Sequence, residues 1–212
     1  MNVGVHVSPQ ITDAWPDYQT AVVIAEGIRN GPSDAASERL LAAAERAVRE
    51  SGLERAADDP RIAAWRRVFS EFGSKPSRYP CSAESLLARV LKGGDLPRIN
   101  ALVDTYNAVS LRHVIPVGGE DLDQLQGDLR LVRAEDGEVV WRDDVGVTCR
   151  RWNWRQEPRT QLTEATTRAF FVFDQLPPQD GLDVAVDELI GHLRARSPDV
   201  QIRVARPTSA PS

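Results

Sequence analysis

Apolar positions recur at helical spacing through the first half of the chain and at strand spacing through much of the second. Ala21–Ala25 is an unbroken apolar run with β-branched residues, ends near Gly27 and reads as a buried strand. Past the Asn30-Gly31-Pro32 turn, with Ser33 as N-cap, Leu40, Leu41, Ala44, Ala47 and Val48 form one helical stripe that Gly52 ends. Asp59 and Pro60 open a second helix on Ile62, Trp65, Val68, Phe69 and Phe72, stopped by Gly73. Ser82 caps a third, which carries Leu86, Leu87, Val90 and Leu91 inward and meets Gly93-Gly94. A fourth is predicted from about Arg98 to Leu111 on Ile99, Leu102, Val103 and Tyr106.

The period then shortens. Asp128–Ala134 and Glu138–Trp141 flank Asp136-Gly137, a strong hairpin signal because these residues accept the positive φ of a tight turn. Val145–Arg151 and Arg168–Phe173 read as further strands, followed by a helix on Leu182, Val186, Leu189, Ile190 and Leu193. Val200, Ile202 and Val204 alternate with polar residues in a last half-exposed strand, and the Pro- and Ser-rich residues 206–212 read as a frayed tail. Helices first and hairpin-linked strands later predict an α+β fold.

At 212 residues and 23.4 kDa, one domain is the default expectation. No uncharged apolar run approaches the roughly 18 residues needed to cross a bilayer, and no signal peptide is visible, so a cytoplasmic protein with no membrane partner is expected. The balance of 26 basic against 31 acidic residues argues against a wholesale nucleic-acid coat but leaves room for a local basic patch. Cys81 and Cys149 are too few for a disulfide framework or a zinc site and read as ordinary buried or half-buried thiols. No nucleophile elbow, phosphate loop, dinucleotide fingerprint or HExxH motif occurs. Of the histidines, His113 reads as a residue favouring a helix C-terminus and His192 as a flank residue. Asp121-Leu122-Asp123 reads as a helix cap, and Gly118-Gly119 as either a turn or a close backbone approach to a ligand.

Arg150–Arg159, RRWNWRQEPR, carries four arginines against Glu157, +3 within a chain of net charge −5, with two tryptophans interleaved. Arginine neutralises phosphate and tryptophan stacks on bases, a combination suited to single-stranded ends. The composition fits equally a strand end with tryptophans packed on one face and arginines solvated on the other.

Leu96–Asn107 (LPRINALVDTYN), Ile115–Asp123 (IPVGGEDLD) and Leu129–Glu138 (LRLVRAEDGE) follow one another closely. Together they resemble the B3/B4 domain of the phenylalanyl-tRNA synthetase beta subunit, the module in which that enzyme hydrolyses mischarged tRNA. The likeness extends through Thr163–Thr166 and the Phe-rich strand, over roughly residues 80–175. It implies a single B3/B4-like domain over residues 1–205, a mostly antiparallel sheet packed with helices, and a free-standing relative of the editing domain without the synthetase's catalytic module. In the resemblance, Asn107 lies at the amino-acid pocket with Tyr106 beside it, and Pro116 matches a pocket proline. Gly118 stands at the family's histidine position, with Gly119 following. The family's glycine-rich loop falls on Trp152, Asn153, Trp154, Arg155 and Gln156. The glutamate that reads a substrate hydroxyl falls near Val172, where Asp174 is the nearest acid.

The implied partner is a tRNA or its aminoacylated 3′ end, with Arg150, Arg151 and Arg159 on phosphates. No cofactor or metal is implied, and no catalytic residue is assigned. An aminoacyl-tRNA deacylase acting in trans is the first reading. A non-catalytic module binding RNA or a small amino-acid-like ligand is the second, and a small-molecule enzyme unrelated to tRNA a third. If the tryptophan segment stays extended, Trp152 and Trp154 share one face and pack inward, leaving Asn107 on a mostly apolar pocket between this segment and Pro116–Gly119. The competing outcome is a solid core with no cavity beside Asn107.

Overall fold

The computed structural model of the chain describes residues 3–209. Strand β1 (Val5–Val7) and the short helix α1 (Pro9–Ala14) precede β2 (Gln19–Glu26), a strand longer than its apolar centre. Helix α2 (Ala35–Glu50) starts one residue later than Ser33 predicts. Asp34 is its N-cap, because its carboxylate accepts from the Ala36 and Ser37 amides while Ser37 returns a bond to the Asp34 amide. Asp59 and Pro60 start α3 (Pro60–Glu71) as expected. The cap of α4 (Ser82–Leu91) is Cys81, whose sulfur accepts from the Glu84 amide, and Ser82 is already inside the helix.

Helix α5 spans Ala101–His113, later than its apolar stripe suggests. Asn100 accepts from the Val103 amide and fixes the start, so Ile99 stands outside and exposed. Every residue from Ala101 to Leu111 is buried, since α5 packs against α2, α4, α6 and β3. The remaining elements are β3 (Val117–Asp121), β4 (Leu129–Arg133), β5 (Val139–Arg142), β6 (Val147–Arg150), β7 (Arg155–Gln156), β8 (Arg168–Gln175), α6 (Leu182–Arg196), β9 (Gln201–Ala205) and β10 (Thr208–Ser209). Gly118-Gly119 thus lies inside a strand and makes no turn. Asp121 caps a short 3-10 turn over Leu122–Gln124, as its spacing suggests.

The fold is α+β with two sheets. One has the order β10-β1-β4-β5-β6-β7 and the other β3-β8-β2-β9. Pairing is antiparallel except where β1 lies parallel to β4 and β10. Backbone residues 208–209, within the segment whose composition predicts fraying, pair with His6 and Val7; residues 210–212 fall outside those described.

The smaller sheet separates two apolar clusters. Val22, Ile24, Phe170 and Val172 face one, and Ala21, Val23, Ala25, Ala169, Phe171 and Phe173 face the other. Burial on both faces is why Ala21–Ala25 has no polar alternation. The second cluster is roofed by α5 and α6. The first is shared with α2, α3, α4 and the larger sheet, and the candidate site opens beside it.

Candidate functional site

The pairing of β3 with β8 builds the floor. Gly118 lies opposite Val172 and Glu120 opposite Phe170, while the Asp174 amide donates to the Pro116 carbonyl. Side chains two apart share a strand face, so Glu120, Val172 and Asp174 point the same way, with Gly118 leaving a gap among them. Glu120 is level with Phe170, four positions from Asp174, so the two acids sit roughly 14 Å apart along the strands at about 3.4 Å per residue. They bracket the floor and do not form a pair.

Over this floor is a cavity of about 180 Å³. Tyr106 and Asn107 of α5, Ser82, Ser85 and Leu86 of α4, Trp141 of β5 and Cys149 of β6 wall it, together with Trp152–Gln156. Of the residues proposed from sequence, Tyr106, Asn107, Gly118, Trp152, Asn153, Trp154, Arg155 and Gln156 are brought together here. Pro116 and Gly119 are not in the lining: Pro116 is buried beneath it, and Gly119 faces the other side of the sheet, against Tyr106 and Phe171. Glu120, Trp141 and Cys149 are lining residues that the sequence did not single out.

The tryptophan segment is not extended. Arg151 and Trp152 adopt positive φ, 48° and 66°, and residues 151–154 turn the chain so that β7 pairs back on β6. Two non-glycine residues in the left-handed region cost about 1–2 kcal/mol each. Burial of the Trp152 indole offsets this. It is 0% exposed, with ring centroids of Trp15, Tyr18 and Trp65 at 5.1, 4.9 and 5.4 Å. Trp154 therefore does not share its face. It stays half-buried at the mouth, edge-on to Tyr79 at 4.9 Å.

The polar groups are unevenly satisfied. Asp174 accepts from the Tyr18 hydroxyl at 2.5 Å and from the Asn153 amide at 3.2 Å, yet burial still pushes its carboxyl up to about 6. Glu120 is 1% exposed, and burial pushes it up to about 7, against the opposing hydrogen bond donated by the Thr160 hydroxyl. Burial also raises the Cys149 thiol and the Tyr106 phenol well above their ordinary values, so neither is an activated nucleophile. The Asn107 side-chain amide has no protein hydrogen-bond partner among the described residues. The Gln156 amide donates to the Gly119 carbonyl at 2.9 Å. No three acids, histidines or cysteines among the described residues gather as metal ligands.

The local positive charge of RRWNWRQEPR is largely neutralised in the fold. Arg150 pairs with Glu157 at 2.5 Å and Glu138 at 3.4 Å, Arg151 with Glu138 at 3.2 Å, and Arg159 with Asp143 at 2.9 Å. Exposed cations without an acidic partner among the described residues include Arg155 in the cavity lining, Arg78 over the Tyr79 ring at 5.1 Å, and Lys75, whose carbonyl accepts from the Arg78 amide. The histidines lie elsewhere, His113 in the last turn of α5 bonded to Glu188 at 2.7 Å.

Residues 64–140, a little over a third of the chain, match the model of the B3/4 domain family. Among solved structures, it is similar to an N-terminal fragment of the phenylalanyl-tRNA synthetase beta-subunit from Pyrococcus horikoshii, with 14% identity and a TM-score of 0.47. That alignment takes in 99% of this chain and 53% of the fragment, so the chain spans about half the fragment's length. No curated protein matches the sequence. Among the described residues, no helix is long and apolar enough to cross a membrane.

Proposed function

We propose that the chain is an RNA-interacting, editing-like domain whose cavity receives the aminoacyl group of a mischarged tRNA, and that it hydrolyses the ester in trans. The cavity beside Asn107 carries this reading. Its volume of about 180 Å³ compares with the ~150 Å³ of an apolar cavity that takes up benzene, so a ring-sized side chain fits. Trp141, Trp152 and Val172 give the cavity apolar surface, and the Asn107 amide, without a protein hydrogen-bond partner among the described residues, offers a donor and an acceptor to the ligand. Arg155 in the lining and Arg78, stacked on the Tyr79 ring that meets Trp154, support a phosphate-bearing chain crossing the mouth, with Lys75 one turn before Arg78.

In the proposed reaction a water oxygen adds to the ester carbonyl carbon, the bond to the ribose oxygen breaks, and that oxygen leaves with a proton. An aminoacyl ester is already activated, so holding it beside an ordered water is a substantial part of the task. A second reading, a binding module without turnover, is favoured by one observation. No histidine lines the cavity, and its thiol is held protonated.

A panel of mischarged tRNAs incubated with purified protein separates the two. Amino-acid release above the spontaneous rate supports hydrolysis. Binding without release replaces it with the second reading, and neither binding nor release removes both.

A further inference from the structure

We infer that the cavity is built for a ligand whose buried end carries a primary ammonium group, held by the Glu120 carboxylate. The inference rests on reading the cavity as an amino-acid pocket and names what the pocket selects. Two acids lie on its inner surface, and its one cationic lining residue, Arg155, is exposed at the mouth. The interior field is therefore negative, and an anionic ligand end is repelled from it. Asp174 already accepts from two donors. Among the described residues, the Glu120 carboxylate has only neutral hydroxyls as partners, Thr160 donating to one oxygen and Thr148 beside it, and the guanidinium of Arg159 is committed to Asp143 and to the Gln124 carbonyl. A carboxylate buried without a cation is costly, and a cationic donor delivered into the cavity supplies the missing partner as a charge-assisted hydrogen bond. Trp152, Trp141 and Val172 supply apolar surface for the rest of the ligand.

The charged neighbours leave one group in command near neutrality. Beside Glu120 are Tyr106 from α5, Thr148 and Cys149 from β6 and the Thr160 hydroxyl, with Asp143 and Arg159 behind, and Arg155 and Asp174 elsewhere in the lining. The phenol and thiol stay neutral, Asp143 stays charged against Arg159, and Asp174 titrates lower, near 6. Glu120, at about 7, is ionised in roughly a tenth of molecules at pH 6 and nine-tenths at pH 8. Ammonium affinity then rises about tenfold over that interval.

Calorimetric titration tests this with three probes. L-Phenylalaninol carries an α-ammonium, Nα-acetyl-L-lysine amide carries only a side-chain ammonium, and N-acetyl-phenylalaninol carries none. At pH 8 one of the two ammonium probes is expected to bind at least tenfold more tightly than the neutral one, and which of them does so identifies the source of the ammonium. Wild-type affinity for that probe should rise about tenfold from pH 6 to pH 8, and Glu120→Gln should remove both the rise and most of the affinity. The wild-type pH profile decides the matter even if the variant fails to fold. Equal binding of the neutral probe, a flat wild-type profile, or no binding of any probe overturns the inference. Deacylation of mischarged tRNA that Glu120→Gln leaves untouched would also overturn it while the proposed activity stands. Selective ammonium binding without deacylation does the reverse.

Discussion

Gly118 and Gln156 compete for one volume. The Gln156 side chain crosses above Gly118 to reach the Gly119 carbonyl, and a Cβ on residue 118 would stand 2.9 Å from its amide nitrogen. The far end of a flexible side chain can move away. At Gly119 a Cβ would meet ring atoms of Tyr106 at 2.8 Å and Phe171 at 2.9 Å, both packed and buried.

Gly118→Ala is therefore expected to cost about 1 kcal/mol, the worth of one displaced hydrogen bond. Gly119→Ala should cost more, about 1–3 kcal/mol for overpacking. Urea unfolding of both variants checks the ordering. Equal losses would mean that Gln156 is held as rigidly as the aromatic rings.

Trp152 and Trp154 should respond very differently to truncation. Trp152 is 0% exposed among four aromatic rings, so Trp152→Ala is expected to cost about 3–5 kcal/mol. Trp154, half-buried against Tyr79, should cost nearer 1 kcal/mol while still altering ligand affinity at the mouth. Chemical denaturation of the two single variants is the measurement. Similar losses would restore the extended segment in which both rings share a face.

Much of this architecture was legible where one physical signal dominated. Asp59-Pro60 and Asp136-Gly137 gave a helix start and a hairpin because cap and turn chemistry are local. The resemblance carried Tyr106, Asn107, Gly118 and the Trp152–Gln156 segment to one cavity. What failed depended on distant partners. The left-handed turn at Arg151-Trp152 exists because Trp15, Tyr18, Trp65 and Phe72 draw the indole inward, and nothing local announces it. The arginine pairings depend on Glu138 and Asp143, which come from other parts of the larger sheet. Glu120 could have been found. Gly-x-Glu in β3 and Val-x-Asp in β8 place an acid on the same face as a gap or an apolar residue, an exception to period-two patterning that marks a site.

The buried acids also set a pH dependence of stability. Glu120 and Asp174 hold their protons to about 7 and about 6 in the folded chain, against 4.5 and 3.8 as reference values. The folded state thus binds more protons in that window, and stability falls as pH rises from about 4 to about 7, then levels. Each acid contributes on the order of 3 kcal/mol to the fall. Asp34, held down by the Ser37 amide and then Arg196, and Asp128, held down by the His6 ring and the Gly4 amide, act oppositely: their contribution is lost as pH drops below about 4. Unfolding free energies measured from pH 3 to 8 should peak near pH 4. Glu120→Gln should flatten the decline above the peak, and an unchanged decline would remove Glu120 as its source.

The salt dependence of RNA binding should distinguish paired from unpaired arginines. A cation that already holds a carboxylate brings an almost neutral pair to a phosphate, so few counterions leave the RNA. Arg150 and Arg151, the residues that sequence alone points to, are in that state. Lys75, Arg78 and Arg155 are not. With three phosphate contacts at about −0.7 each for a single strand, the logarithm of affinity for a CCA-ended RNA should fall against the logarithm of salt concentration with a slope near −2. The double variant Lys75→Ala, Arg78→Ala should make it shallower by about 1.4. Replacing Arg150 and Arg151 by alanine exposes Glu138 and Glu157, so affinity should drop at every salt concentration while the slope stays nearly constant. Filter binding over a range of salt concentrations reads both quantities. A slope that responds to the Arg150 and Arg151 pair but not to Lys75 and Arg78 would show that RNA breaks the ion pairs of the turn and enters from its side of the cavity.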